Sequence, residues 1–274
     1  MPKKLGLALV QLNSGPEMAA NIDAAEGLIR EAAAGGAKFV LTPEMTSLLE
    51  TRNGPLLEKT FTEGEDPGLP RFRDLARQLG LWLLIGSLPV KISADRLANR
   101  SFLIGPEGQI VARYDKMHMF DVDLDGGESY RESKSFEAGN APVLAPTPWG
   151  PVGLTVCYDL RFPYLFRKLA LMGARMLAVP AAFTKATGQA HWHILLRARA
   201  IETGCFVLAP AQCGEHSPGR ETYGHSLIVS PWGEIVDEAA EGPGLIVATI
   251  DLNEVDKARQ KIPSLEHTRQ IGKA

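Results

Sequence analysis

Short apolar runs and segments of helical period alternate along the chain. Residues 5–12 interleave small and large apolar side chains and end in Gln11-Leu12-Asn13, which predicts a strand. Residues 18–34 place Ile22, Ala25, Leu28, Ile29 and Ala32 on one helical face and stop at Gly35-Gly36. A short buried strand at 39–42, a helix at 69–79 closed by Gly80 and a strand at 81–88 follow. Residues 100–114 read as a hairpin that turns at Pro106-Glu107-Gly108. The second half repeats this order. It has a strand at 152–156, a helix from Pro163 to Met172, a strand at 176–179, a helix at 192–203 stopped by Gly204, a strand at 205–209 and a hairpin at 226–237. Strands that alternate with helices argue for an α/β fold.

The repetition extends to individual residues. Residues 101–111 read SFLIGPEGQIV and residues 226–236 read SLIVSPWGEIV, with Ser, Pro, Gly, Ile and Val in the same places. Phe39-Val40-Leu41-Thr42-Pro43 likewise parallels Met176-Leu177-Ala178-Val179-Pro180. Pro-x-Gly hairpins can recur by chance, but the shared element order favours an internal duplication. Each half then supplies one sheet with helices on one face. Two such sheets packed together give a four-layer αββα sandwich with a pseudo-twofold axis. No linker separates the halves, so residues 1–274 are expected to form a single domain. The least regular stretch, 115–148, is expected to be an inserted or active-site loop.

Composition narrows the function classes. The 274 residues are 45% hydrophobic and 22% charged, which is ordinary globular chemistry. A net charge of −3 without a basic patch argues against nucleic-acid binding. No apolar run approaches the roughly 20 residues that span a bilayer, and no signal or transit peptide is evident. Three cysteines, Cys157, Cys205 and Cys213, are too few and too scattered for a disulfide framework. A cytoplasmic protein with reduced thiols is the simplest expectation.

Cys157 ends the apolar run 152–156 and precedes a helix that starts at Pro163. A cysteine on such a strand-to-helix turn sits at the carboxyl edge of its sheet. There the following N–H groups favour a thiolate and can receive an oxyanion. A buried structural cysteine is the alternative. Cys205 reads as core, and Cys213 as a residue that lines a pocket without reacting. Glu44 follows the buried strand 39–42, where a solvated loop carboxylate is the alternative, and Lys116 follows the first hairpin, where a surface lysine is the default reading. His191 and His193 flank Trp192; His-x-His can bind metal, but no third ligand at sensible spacing is evident, so no metal is expected and polar roles at a helix start are favoured.

Together these motifs resemble the nitrilase, or carbon–nitrogen hydrolase, superfamily, whose mark is a Glu-Lys-Cys triad in this order. The resemblance runs from Lys4 to Ile262. It rests on Thr42-Pro43-Glu44, on Tyr114-Asp115-Lys116-Met117-His118 and on the run from Val156-Cys157-Tyr158-Asp159 to Pro163. It implies catalytic Glu44, Lys116 and Cys157, a supporting Glu132 in the spacing Glu132-x-x-x-Phe136-x-x-Gly139, an αββα fold and a homodimer or higher oligomer, with no cofactor. Cys157-Tyr158-Asp159, Tyr223-Gly224-His225-Ser226 and Pro231-Trp232-Gly233 resemble the amidase branch that holds deaminated glutathione amidases and ω-amidases. That branch implies hydrolysis of a linear amide carrying a carboxylate through a cysteine thioester. The substrate expected is deaminated glutathione; 2-oxoglutaramate, succinamate or an N-carbamoyl amino acid is the alternative. Tyr158 is expected to give an oxyanion N–H, and Arg161, one helical turn after Cys157, to pair with the substrate carboxylate, with a structural salt bridge as the alternative. Phe183 and Thr184 should face the cleft, and Met117 and Met119 could alter the pocket. A catalytically silent regulatory protein and a metallo-amidase built on His191 and His193 are the rival classes.

Overall fold

A computed structural model describes residues 2–124, 129–217 and 219–269. In the first half, β1 (Lys4–Gln11) leads to α1 (Met18–Ala34), β2 (Phe39–Leu41), α2 (Asn53–Lys59), α3 (Gly68–Leu79), β3 (Trp82–Lys91), β4 (Leu97–Ile104) and β5 (Ile110–Asp115). A small ribbon of β6 (Asp121–Asp123) and β7 (Ser129–Arg131) precedes the second half. There β8 (Val143–Ala145), β9 (Val152–Leu154), α4 (Pro163–Leu171), β10 (Met176–Ala178), α5 (Lys185–Thr203) and β11 (Phe206–Ala209) follow. A second ribbon, β12 (Cys213–Ser217) with β13 (Arg220–Tyr223), precedes β14 (Leu227–Val229), β15 (Ile235–Glu238), β16 (Gly244–Asp251) and α6 (Asn253–Lys261).

The two six-stranded sheets have matching orders, β16-β1-β2-β3-β4-β5 and β8-β9-β10-β11-β14-β15. In each, three central strands are parallel and the outer strands antiparallel. The repeated hairpins match even in their irregularity. The register slips between Leu103 and Ile104 in one and between Ile228 and Val229 in the other, which are equivalent positions of the repeat. The duplication therefore extends to the backbone.

β1 shows how sequence sets the layers. Leu5, Leu7 and Leu9 pack between the sheets, while Ala8 and Val10 pack beneath α1 and α3. A strand covered on both faces reads as a nearly continuous apolar run. The helices α4 and α5 cover the outer face of the second sheet through Leu165, Phe166, Leu169, Trp192, Leu196 and Ala200. The result is the expected αββα sandwich. No helix among the described residues is long and apolar enough to cross a membrane.

Some boundaries differ. α5 begins at Lys185 rather than 192, because Gly188 and the polar turn before Trp192 weaken the apolar period yet pack closely against Tyr223. His191 and His193 are therefore mid-helix and not at a helix start. The irregular segment 115–148 holds the β6–β7 ribbon and β8, while its residues 125–128 lie outside the described residues. The β12–β13 ribbon is too polar to announce itself by periodicity, and it forms a separate two-stranded sheet that a Thr184–Thr222 bridge ties to the loop after β10.

Candidate active site

The carboxyl ends of the parallel strands converge at one edge of the sandwich, and the loops that leave them carry the polar groups. Glu44 follows β2, Lys116 follows β5, Cys157 follows β9, and Ala182, Phe183 and Thr184 follow β10. Two of these loops hold a non-glycine residue in the left-handed region, Met45 at φ 57° and Cys157 at φ 49°. Such a conformation costs on the order of 1–2 kcal/mol and persists only where surroundings enforce it. At Cys157 the enforcement is visible. Its N–H donates to the Pro180 carbonyl at 2.9 Å, and the next four residues form a tight helical turn.

Asp159 locks that turn to the lysine segment. One carboxylate oxygen accepts from the Val156 N–H (2.8 Å) and the Tyr114 hydroxyl (2.7 Å). The other accepts from the His118 N–H (3.1 Å) and His118 Nδ1 (2.6 Å). The residues that flank Lys116 and those that follow Cys157 thus bind each other. Sequence reasoning quoted all of them as motif members but assigned none this duty.

The centre is a buried ion cluster. Lys116 Nζ donates to Glu44 Oε1 at 3.0 Å and to both oxygens of Glu132, at 3.0 and 2.8 Å. Lys116 and Glu44 are almost wholly buried, and the Glu132 side chain is 12% exposed. Asn99, which carries no sequence signal, donates from Nδ2 to Glu44 (2.9 Å) and Glu132 (3.2 Å). The Ala182 N–H donates to Glu44 Oε2 at 2.8 Å, so Glu44 is held by both sheets. The buried Cys157 thiol lies near enough to Glu44 and Lys116 for both charges to act on it.

Charge states follow from these contacts. Burial pushes Glu44 up, but the Lys116 charge and the hydrogen bonds from Cys157, Lys116 and Asn99 outweigh it and hold Glu44 below its usual 4.5. Burial would discharge Lys116, yet Glu132 and Glu44 keep it protonated beyond its ordinary range. Burial and the Glu44 charge push the Cys157 thiol well up. The resting site is therefore carboxylate, ammonium and neutral thiol. A base beside a thiol, with a fixed positive charge at hand, is suited to acyl transfer.

A cavity of about 540 Å³ opens onto this cluster, lined by Glu44, Lys116, Glu132 and Cys157 together with Tyr158, Phe183 and Thr184. The carbon–nitrogen hydrolase family model matches residues 6–260. The chain belongs to that family. It is 40% identical to a deaminated glutathione amidase of Yersinia enterocolitica over 272 residues, covering 98% of this chain and 94% of the relative. It is also 40% identical to the Homo sapiens deaminated glutathione amidase over 270 residues, covering 96% and 82%. Among solved structures, the Caenorhabditis elegans NitFhit protein superposes with a TM-score of 0.92 at 36% identity over 97% of this chain; the match spans 65% of that longer protein. An amidase from Nesterenkonia sp. AN1, with the acetamide moiety of fluoroacetamide added covalently at its active-site cysteine, superposes at 0.81 with 26% identity, covering 96% and 97%.

In this carbon–nitrogen hydrolase, several side chains lie away from the places their sequence positions suggest. Arg161 does not line the cavity: its guanidinium lies over the Tyr158 and Phe183 rings, at 5.9 and 5.5 Å, and beside His191. The arginines that do line it are Arg131 and Arg220, from the two ribbons. Met117 and Met119 pack into apolar clusters and leave the cavity lining to Met45. Cys213 is buried in β12 away from the cavity, and Cys205 is core as expected. The partners that sequence spacing could not find for His193 are His225 and Glu238. His193 Nε2 and His225 Nδ1 lie 3.0 and 2.6 Å from one oxygen of Glu238. These are ligand-type groups, but they sit outside the cavity lining, and His191 is turned to Arg161 instead.

Proposed function

We propose that this protein hydrolyses a linear amide through a thioester on Cys157, and that its substrate is deaminated glutathione. The observation that carries the mechanism is that a buried Cys157 shares its cavity with the Glu44–Lys116 ion pair. Glu44 takes the thiol proton as sulfur attacks the amide carbon. Negative charge then grows on the carbonyl oxygen, where Lys116 and the Tyr158 N–H stabilise it; one such donor contributes on the order of 3 kcal/mol. The protonated Glu44 returns its proton to the amide nitrogen as the C–N bond breaks, so the amine leaves neutral. Glu44 next takes a proton from water, which attacks the thioester carbon. Collapse of that intermediate expels the Cys157 thiolate, which recovers the proton from Glu44. Lys116 remains an ammonium throughout, anchored by Glu132.

The substrate assignment is supported by the near-full-length relatives named deaminated glutathione amidase. The products would be 2-oxoglutarate and Cys-Gly. Wild type and Cys157→Ala, assayed on deaminated glutathione, 2-oxoglutaramate, an N-carbamoyl amino acid and a simple nitrile, test this reading. Preferred turnover of deaminated glutathione, lost in the variant, supports it. A preference for 2-oxoglutaramate moves the protein to ω-amidase chemistry, and an active variant removes the nucleophile. We further propose a cytoplasmic homodimer. The outer face of α4 and α5, with Tyr164, Leu171, Ile194 and Ile201 all more than half exposed, is the surface that supports pairing.

A further inference from the structure

We infer that Arg220 is the receptor for a substrate carboxylate, an inference that rests on the amide-hydrolase reading above. Four cations line the cavity, and their partners differ. Lys116 is held by two carboxylates. Arg131 is turned to Asp123, pairing with both of its oxygens and donating to two carbonyls. Lys134 is exposed at the rim. Arg220 is partly buried and forms no ion pair among the described residues. Its Nε is buried and finds no acceptor among them. Its only hydrogen bond there runs from Nη2 to the Ala182 carbonyl at a long 3.3 Å.

The placement is as telling as the lack of a carboxylate partner among the described residues. Ala182 is the residue whose N–H holds Glu44, so the guanidinium is tethered one peptide from the reacting groups. Its plane is steadied over the Tyr130 ring at 5.6 Å. The cavity carboxylates have their own cationic partners, Glu44 and Glu132 sharing Lys116 and Glu50 pairing with Arg52 and Lys59, and none of them pairs with Arg220. A partly buried guanidinium whose Nε has no acceptor among the described residues fits a planar oxyanion, and a carboxylate accepts two parallel N–H bonds from it. Deaminated glutathione offers two such groups, one on the acyl part and one at the end of the leaving dipeptide. The fork could serve either.

The test uses amides that differ by one carboxylate. Wild type and Arg220→Gln are compared on deaminated glutathione, on 4-oxopentanoyl-Cys-Gly, which lacks the acyl carboxylate, and on the C-terminal glycinamide form, which lacks the other. We expect wild type to favour the carboxylate in at least one pair, and Arg220→Gln to shrink that preference at least tenfold, mainly through KM. The pair that shrinks identifies the carboxylate. A variant that is merely damaged slows both members alike and keeps the preference, which overturns the assignment. If wild type does not hydrolyse deaminated glutathione, the substrate assignment falls, and succinamate against butanamide puts the same question to Arg220. Absence of any carboxylate preference in wild type also overturns it.

Discussion

Glu132→Gln changes no shape and removes one charge, so its effect can be worked out from contacts. Both oxygens of Glu132 are acceptors. Oε1 takes Lys116 and Asn99 at 3.0 and 3.2 Å; Oε2 takes Lys116 and the Phe120 N–H at 2.8 and 2.7 Å. A glutamine can offer an acceptor on only one side. Whichever way its amide turns, an NH2 group faces the Lys116 ammonium and a second donor. A charge pair 3 Å apart at an effective dielectric of ~20 has a gross attraction of about 5 kcal/mol. Breaking a buried pair costs about 3–5 kcal/mol, and the surviving contact with Glu44 places this variant at the low end. We expect urea unfolding at pH 7 to show a loss of about 3 kcal/mol. Lys116 should also leave its position for stabilising the oxyanion, which costs on the order of 100-fold in kcat. Wild-type stability and wild-type kcat in Glu132→Gln would refute the role of Glu132 as the anchor of Lys116.

Other outcomes follow from the same physics. Glu44 is held below 4.5 by Lys116, so the base stays ionised above that pH. In Lys116→Met, burial is left uncompensated, and the acid limb of Cys157 alkylation by iodoacetamide should move upward; an unmoved limb would contradict the coupling. His216 is buried, donates from Nδ1 to the Ser14 carbonyl and accepts at Nε2 from Thr222, and burial lowers its pKa to about 4 from 6.5. The folded state therefore resists a proton that the unfolded chain accepts. Stability should fall by up to about 3 kcal/mol as pH drops from 6.5 to 4, and His216→Gln should flatten that slope in pH-dependent unfolding. A Cβ at Gly86 would meet the Thr42 and Pro43 carbonyls at 2.1 and 2.5 Å and Pro180 at 2.5 Å. Gly86→Ala should displace the Glu44 loop, lowering both the melting temperature and kcat. Sedimentation should give a dimer that Ile194→Asp converts to monomer, and a monomeric wild type would remove the proposed α4–α5 pairing.

The fold was readable because the duplication writes each strand and hairpin twice, and Glu44 and Cys157 stood out because each ends an apolar run. Glu44 and Cys157 sit where a buried strand meets polar residues, a pattern periodicity detects. Asn99 lies within β4 and looks like any polar strand residue; only the folded sheet turns it toward two carboxylates. Asp159 reads as a helix-start acid, and its bonds to Tyr114 and His118 span more than 40 residues. Arg161 was a plausible carboxylate receptor by its nearness to Cys157 in sequence. The tight turn carries it out of the cavity, and the β12–β13 ribbon brings in Arg220 from 63 positions away instead.

Mass spectrometry of rapidly quenched enzyme is the most direct probe of the proposed nucleophile. Mixed with deaminated glutathione, wild type should carry a 2-oxoglutaryl adduct that maps to Cys157 and disappears with hydroxylamine, and Cys157→Ala should carry none. Turnover by Cys157→Ala, or an adduct on any other residue, would contradict the thioester mechanism.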